Sequence, residues 1–109
     1  MNRLIWTEDA RFSFGEILQY IAEQSGQGLA DKVYAKIIRK VDLLTVFPFK
    51  GKVSAELKSV GITHIYELVE APWKIYYRVK TRQVVIMLVL DSRRNLEEVL
   101  IDKIINKKD

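Results

Sequence analysis

The chain has 109 residues, of which 49% are hydrophobic, so we expect a single folded domain (residues 1–109) with a sizeable core rather than a disordered chain. It has no cysteine, which excludes disulfides and thiolate metal sites, and no apolar run reaches the roughly 20 residues of a membrane-spanning helix. The formal net charge of +4 arises entirely after residue 47, where 12 Lys/Arg oppose 8 Asp/Glu, and this bias suits an acidic protein or a nucleic acid as partner.

The first half of the chain predicts a short strand followed by a helical hairpin. Residues 3–6 are β-prone, and Thr7 is a suitable N-cap for the helix that follows. That helix has one apolar stripe at helical spacing, formed by Phe14, Ile17, Leu18 and Ile21. Residues 25–28 predict a turn of about four residues, and a second apolar helical face follows, formed by Ala30, Val33, Tyr34, Ile37, Ile38, Val41 and Leu44. Pro48 is expected to end this helix, and the short gap predicts an antiparallel pair.

The second half predicts a loop, three strands and a final helix. Residues 49–61 are interpreted as a loop, and residues 62–69, 73–79 and 84–90 as strands of an antiparallel meander. The last of these is continuously apolar, so we expect it to be buried on both faces. Asn95 is expected to cap a helix whose apolar side is formed by Leu96, Val99, Leu100 and Ile104. The order β-α-α-β-β-β-α predicts an α+β fold, with the hairpin packed on a small, mainly antiparallel sheet.

Most motifs that could indicate catalysis are absent or sit in the wrong context. His64 is the only histidine and lies in a predicted strand without a Ser or Cys nucleophile nearby, so we assign it a structural or surface role. Gly26 and Gly28 lie between two helices rather than between a strand and a helix, and are interpreted as a turn. No metal-ligand spacing is present. We therefore expect no metal, no cofactor and no catalytic residues.

A basic and aromatic face on the strand over residues 73–79 is the main candidate site. Alternation places Lys74, Tyr76 and Arg78 on one face. The other face is more apolar and is expected to pack on the helices: Trp73, Ile75, Tyr77 and Val79. Cationic and aromatic side chains together can bind phosphate and stack on bases, and they also form contact sites between proteins. The alternative is an amphipathic strand with one solvated face.

A second basic cluster lies at the start of the last helix. Arg93 and Arg94 could bind a phosphate or a carboxylate. The alternative is pairing within the chain, with Asp91, Glu97 or Glu98. The predicted partner-binding residues are thus Lys74, Tyr76, Arg78, Arg93 and Arg94.

The layout of the chain resembles the RelE/ParE superfamily of toxins from bacterial type II toxin–antitoxin systems. The resemblance is carried by residues 6–10 (WTEDA), 17–25 (ILQYIAEQS), 48–52 (PFKGK), 67–79 (ELVEAPWKIYYRV) and 88–100 (LVLDSRRNLEEVL). It implies a small cytoplasmic protein that is neutralised, in a hetero-oligomer, by a co-expressed antitoxin whose C-terminal segment wraps around it. It implies neither a cofactor nor a membrane.

Two activities divide this superfamily, and the resemblance can be followed position by position. RelE-like members cleave messenger RNA in the ribosomal A site, using lysines on the first meander strand, an arginine on the second and another after the last. At those positions this chain has Ile65 and Glu67, then Lys74, then Arg94. Leu100 stands where such nucleases often have a tyrosine. Some related nucleases use a glutamate base, so Glu67 leaves that activity open.

The resemblance therefore predicts a ParE-like toxin, which binds DNA gyrase, inhibits replication and has no catalytic residues of its own. One alternative is a ribosome-dependent mRNA endonuclease. Another is a member that has lost toxicity and persists as a binding module for its antitoxin.

Overall fold

The computed structural model describes residues 1–106. Its helices and strands are, in chain order, β1 (Arg3–Trp6), α1 (Glu8–Ser25), α2 (Gln27–Asp42), β2 (Lys52–Val53), α3 (Ala55–Lys58), β3 (Tyr66–Glu70), β4 (Trp73–Lys80), β5 (Gln83–Asp91) and α4 (Leu96–Leu100). A 3-10 turn, Leu43–Thr45, follows α2, and a π-helical turn, Ile101–Ile105, continues α4. Among these residues no helix is both long enough and apolar enough to cross a membrane.

The five strands form one mixed sheet in the order β1-β5-β4-β3-β2. The meander β3-β4-β5 is antiparallel as predicted, and β1 pairs in parallel with β5 because the helical hairpin carries the chain across one face of the sheet before it returns. The expected α+β architecture, with an N-terminal strand, a helical hairpin and a mainly antiparallel sheet, is confirmed.

The two helices of the hairpin are joined by a single residue. Thr7 caps α1 as predicted, since its hydroxyl accepts a hydrogen bond from the Ala10 N–H. Gly26 has a φ of +96°, a conformation that only glycine adopts at little cost, and α2 begins at the next residue. The prediction of a four-residue turn was therefore wrong in length, although the hairpin itself is confirmed.

The hairpin packs on one face of the sheet and forms the larger core. Its buried side chains meet those of β4 and β5 in a cluster that includes Phe14, Val33, Ile37, Val41, Ile75, Tyr77, Val84, Ile86 and Val89. Two hydroxyls fix α1 to β5: Thr7 Oγ1 donates to the Ile86 carbonyl at 3.0 Å, and Ser13 Oγ accepts from the Val89 N–H at 3.0 Å. These bonds satisfy backbone groups of β5 at Ile86, which pairs with the last residue of β1, and at Val89, which lies beyond the end of β1.

A bulge lets β5 serve a second core on the opposite face. Tyr76 pairs with Leu88 and Tyr77 with Ile86, so Met87 is the extra residue and the alternation of β5 reverses there. The second core is smaller and lies beneath α3 and α4: Leu57, Ile65, Tyr76, Leu88, Leu90, Leu96 and Leu100. The expectation that this strand is buried on both faces is confirmed.

Three predicted boundaries are corrected by the structure. Residues 49–61 are not a plain loop, because β2 pairs with β3 and Ser54 caps α3 by accepting from the Leu57 N–H. The strand predicted over residues 62–69 starts only at Tyr66, since the preceding residues connect α3 to the sheet. The second helix ends at Asp42, before Pro48 could end it.

Candidate functional site

The second face of the sheet contains a cluster of charged side chains centred on Lys74. Its Nζ forms an ion pair with Glu67 Oε2 at 3.1 Å, and it donates a hydrogen bond to Glu56 Oε2 at 3.4 Å. Glu67 is on β3, and its side chain is completely buried, whereas Glu56 is on α3. Two carboxylates thus oppose one ammonium group, and the cluster is net negative.

Tyr76 belongs to the same cluster and is fully buried. Its hydroxyl donates to Glu56 Oε1 at 3.2 Å, and its ring packs in the second core with Leu57 and Leu100. The predicted alternation along β4 is confirmed. The face is covered by α3 and α4 at Tyr76, whereas Lys74 and Arg78 remain partly exposed on it. Tyr76 therefore does not lie on the molecular surface, where the sequence had placed a partner-binding side chain.

The cluster shifts two pKa values upwards. Burial raises the pKa of the Tyr76 hydroxyl far above its usual range, and the charges of Glu56 and Glu67 and the hydrogen bond to Glu56 add to this effect. Burial alone would lower the pKa of Lys74, but the contact with Glu67 and the charges of both carboxylates outweigh it, so that its pKa is raised. Both side chains therefore keep their protons at neutral pH, and Lys74 remains charged but neutralised.

Arg78 lies further along the same face of β4, opposite Val85 in the register. It is half-buried, and its Nε is shielded from water without a hydrogen-bond partner among the described residues. It forms no ion pair with any acidic side chain in that part of the chain. Arg78 is thus the one predicted cation of β4 whose charge is not neutralised within the described residues.

Arg93 and Arg94 lie together in the exposed turn after β5. Arg93 makes a bidentate ion pair with Asp91, with Nε–Oδ1 at 2.9 Å and Nη2–Oδ2 at 2.6 Å, as the alternative interpretation predicted. The hydrogen bond from Arg93 lowers the pKa of the Asp91 carboxyl. Arg94 forms no ion pair with a described residue and borders a cleft of about 250 Å³ that also exposes Tyr20 and Trp73.

The five predicted partner-binding residues are therefore divided among three places. Lys74 and Tyr76 form part of a buried network, Arg78 lies apart from them on the same face, and the two consecutive arginines lie in the turn that leads to α4. Two positions singled out by the comparison with nucleases, Ile65 and Leu100, are completely buried. His64 precedes β3 and is exposed.

Sequence reasoning missed an apolar groove on the hairpin. A groove of about 410 Å³ runs between α1 and α2, and its lining includes Trp6, Phe14, Leu18, Tyr34 and Ile38. Three rings stack in succession along it, since Trp6 lies 5.7 Å from Phe14, and Phe14 5.7 Å from Tyr34. Tyr34 belongs to the apolar stripe of α2 but is half exposed. The signal in the sequence was the width of the apolar stripe of α2, which includes more side chains than the helix buries against the sheet.

A family model supports the resemblance that the sequence suggested. The model described as the ParE toxin of the type II toxin–antitoxin system parDE matches residues 4–96. Toxin ParE3 of Caulobacter vibrioides is 27% identical over 96 residues, which cover 88% of this chain and 92% of that protein.

A solved structure shows the same fold. A chain from the chromosomal ParDE toxin–antitoxin system of P. aeruginosa superposes with a TM-score of 0.69 at 22% identity. The match covers 84% of this chain and 96% of that chain. Because the identity is low, this likeness carries the architecture alone.

The buried charge cluster generates a stability prediction. Lys74→Met should lower the free energy of unfolding by about 3 kcal/mol at pH 7, because it leaves the buried Glu67 carboxylate without its counter-charge. The double variant Lys74→Met/Glu67→Gln should recover most of this loss, since no buried charge is then unpaired. Urea unfolding measures both. A single variant as stable as the wild type would show that Lys74 does not neutralise Glu67.

The raised pKa values generate a prediction for alkaline pH. The folded chain holds the protons of Tyr76 and Lys74 more tightly than the unfolded chain does, and the unfolded chain loses them near pH 10. Their contribution to stability is complete below that pH and declines as the pH rises above it, by up to about 1.4 kcal/mol per pH unit for each proton. Between pH 9 and 11.5, Tyr76→Phe should lose stability less steeply than the wild type. Equal slopes would contradict the assignment.

Proposed function

The chain belongs to the ParE toxin family of type II toxin–antitoxin systems, and from this membership we propose that it arrests growth by binding and inhibiting DNA gyrase. It acts by binding, without catalytic turnover of its own, in the cytoplasm where the chromosome is replicated. A cognate antitoxin, bound in a hetero-oligomer, neutralises it.

The observation that carries this proposal is the position of Lys74 between two carboxylates. A nuclease of the related type must hold a phosphate and stabilise the negative charge that develops on it during cleavage. Here the central cation of the sheet is neutralised by Glu56 and Glu67, and the cluster as a whole is net negative. Such a group repels a phosphate instead of binding it.

The remaining positions of that comparison also favour binding over catalysis. Ile65 and Leu100 are buried apolar side chains that cannot move a proton. Tyr76 could act as a base only after ionising, and its strongly raised pKa keeps it protonated. Among the cations at the nuclease positions, Arg94 is exposed, but it lies in the turn after β5 and is not part of the cluster around Lys74.

The antitoxin is proposed to cover the hairpin groove and the turn of Arg93 and Arg94. The groove offers a ladder of stacked rings to the apolar side chains of an antitoxin segment. The arginine turn offers charge to its acidic side chains, above all at Arg94, which is exposed and forms no ion pair with a described residue. Together they suit a chain that is both apolar and acidic.

Assays with purified gyrase and with translating ribosomes test this function. We expect the toxin to inhibit supercoiling, or to produce gyrase-dependent double-strand breaks, while ribosome-bound messages stay intact. The product of the adjacent gene should abolish the effect if it is the antitoxin. Codon-specific cleavage of messages with unaffected gyrase would overturn the proposal in favour of an endonuclease. Normal growth on expression without antitoxin would instead indicate a binding module that has lost toxicity.

The arginine turn generates a separate prediction. Arg93→Glu/Arg94→Glu should lower either toxicity or antitoxin affinity at least tenfold while thermal unfolding stays near that of the wild type, because both side chains are exposed. The control, Lys32→Glu/Lys36→Glu, makes the same change of charge at two exposed positions of α2. A double arginine variant with full toxicity and full antitoxin affinity would remove the pair from the site.

A further inference from the structure

The turn between α2 and β2 exposes several large apolar side chains. Val46, Phe47 and Phe49 are 57%, 59% and 61% exposed, and they follow one another closely in the chain. Leu43, just before them, is 42% exposed. Single exposed apolar residues are ordinary, but a contiguous group on one turn is typical of a binding surface. We call residues 46–50 the aromatic turn.

The aromatic turn is held in place by its own backbone hydrogen bonds and by a contact with the sheet. The Phe47 N–H donates to the Leu43 carbonyl at 2.9 Å, and the Lys50 N–H donates to the Phe47 carbonyl at 3.1 Å. The Phe49 ring meets Tyr66 of β3 edge-on, with centroids 5.4 Å apart. The backbone of the turn and the Phe49 ring are therefore held in place, which lowers the entropy that a partner must overcome on binding.

The end of the turn is fixed by a glycine that no other residue could replace without displacement. The Gly51 N–H donates to the Tyr77 hydroxyl at 3.0 Å. A Cβ at this position would lie within 2.3 Å of the Glu67 carbonyl oxygen and 2.8 Å of the Tyr77 hydroxyl. This close approach ties the aromatic turn to β3, the strand that also carries the buried Glu67.

Cations border the apolar surface. Lys50 and Lys52 are exposed, and neither forms an ion pair within the described part of the chain. On the basis of the proposed function, we propose that the aromatic turn is the surface that docks on DNA gyrase, with Phe47 entering an apolar pocket whose rim is acidic. Aromatic side chains are frequent anchors of protein interfaces, and complementary charge around them favours the correct partner.

Other occupants of this turn fit the observations less well. A second copy of the chain would bring its own lysines against Lys50 and Lys52, which is unfavourable. A lipid surface does not require a turn held in place by internal hydrogen bonds, and the apolar group is small for stable insertion. The antitoxin is proposed to bind the hairpin groove. Tyr34 in that groove lies about 12 Å of helix before the end of α2, so the groove and the aromatic turn are separate surfaces.

The test compares exposed aromatic residues in two places. Phe47→Ser should raise the toxin concentration for half-inhibition of purified gyrase at least tenfold, whereas Phe12→Ser, which removes a ring of similar exposure (66%) from α1, should change it less than twofold. Lys50→Glu should weaken inhibition most at low salt, and Lys36→Glu on α2 is its control. Circular dichroism and affinity for the product of the adjacent gene verify that each variant is folded.

Each outcome decides one question. Wild-type toxin that does not inhibit gyrase would refute the proposed function itself, before any variant is compared. Inhibition by the wild type and equal inhibition by a folded Phe47→Ser would refute the docking surface alone. Loss of antitoxin affinity with unchanged inhibition would assign the turn to the antitoxin and overturn the proposal. Loss of inhibition with antitoxin affinity retained is the expected result.

Discussion

Burial of β5 on both of its faces is the constraint on which the rest of the structure depends. One face carries Val84 and Ile86 into the hairpin core, and the bulge at Met87 turns Leu88 and Leu90 towards α3 and α4. Since both faces are covered, the helical hairpin and the C-terminal helix are each positioned by the same strand. The hydroxyls of Thr7, the N-cap of α1, and of Ser13 complete the arrangement, because they bond backbone groups of β5 at Ile86, where β1 ends, and at Val89 beyond it.

This arrangement determines what the second face of the sheet can do. Helices α3 and α4 close over Tyr76, and α3 brings Glu56 against Lys74, while β3 brings the buried Glu67 against it from the other side. The charge of Lys74 is therefore neutralised within the fold, whereas Arg78, the other predicted cation of β4, has no ion pair among the described residues. What is left for partners lies at the periphery: the hairpin groove, the arginine turn and the aromatic turn. We propose that such a toxin acts through these surfaces, with the target and the antitoxin recognised by different residues.

The fold was largely predictable because its signals are local. Helical spacing, the Thr7 cap and the continuous apolar strand specify the hairpin and the meander, and the resemblance to a known superfamily agrees with both. The candidate site was less predictable because alternation assigns a residue to a face but does not say what covers that face. The alternation placed Tyr76 and Lys74 on the correct face of β4. It did not predict α3, which covers this face, because a helix of four residues is too short to give a periodic pattern. The exposure of Phe47 could not be predicted either, since an apolar residue beside Pro48 is as compatible with burial in the core as with exposure to a partner.

We propose that the chain acts by binding gyrase, with Lys74 neutralised at the centre of its sheet, and that it does not cleave RNA. Expression of the toxin in cells that carry a reporter plasmid, followed by analysis of plasmid topology and of message 5′ ends from the same culture, tests this claim most directly. The account predicts that plasmid supercoiling is lost, or the DNA broken, before any message is cut. Messages cleaved at in-frame positions while supercoiling stays normal would contradict it.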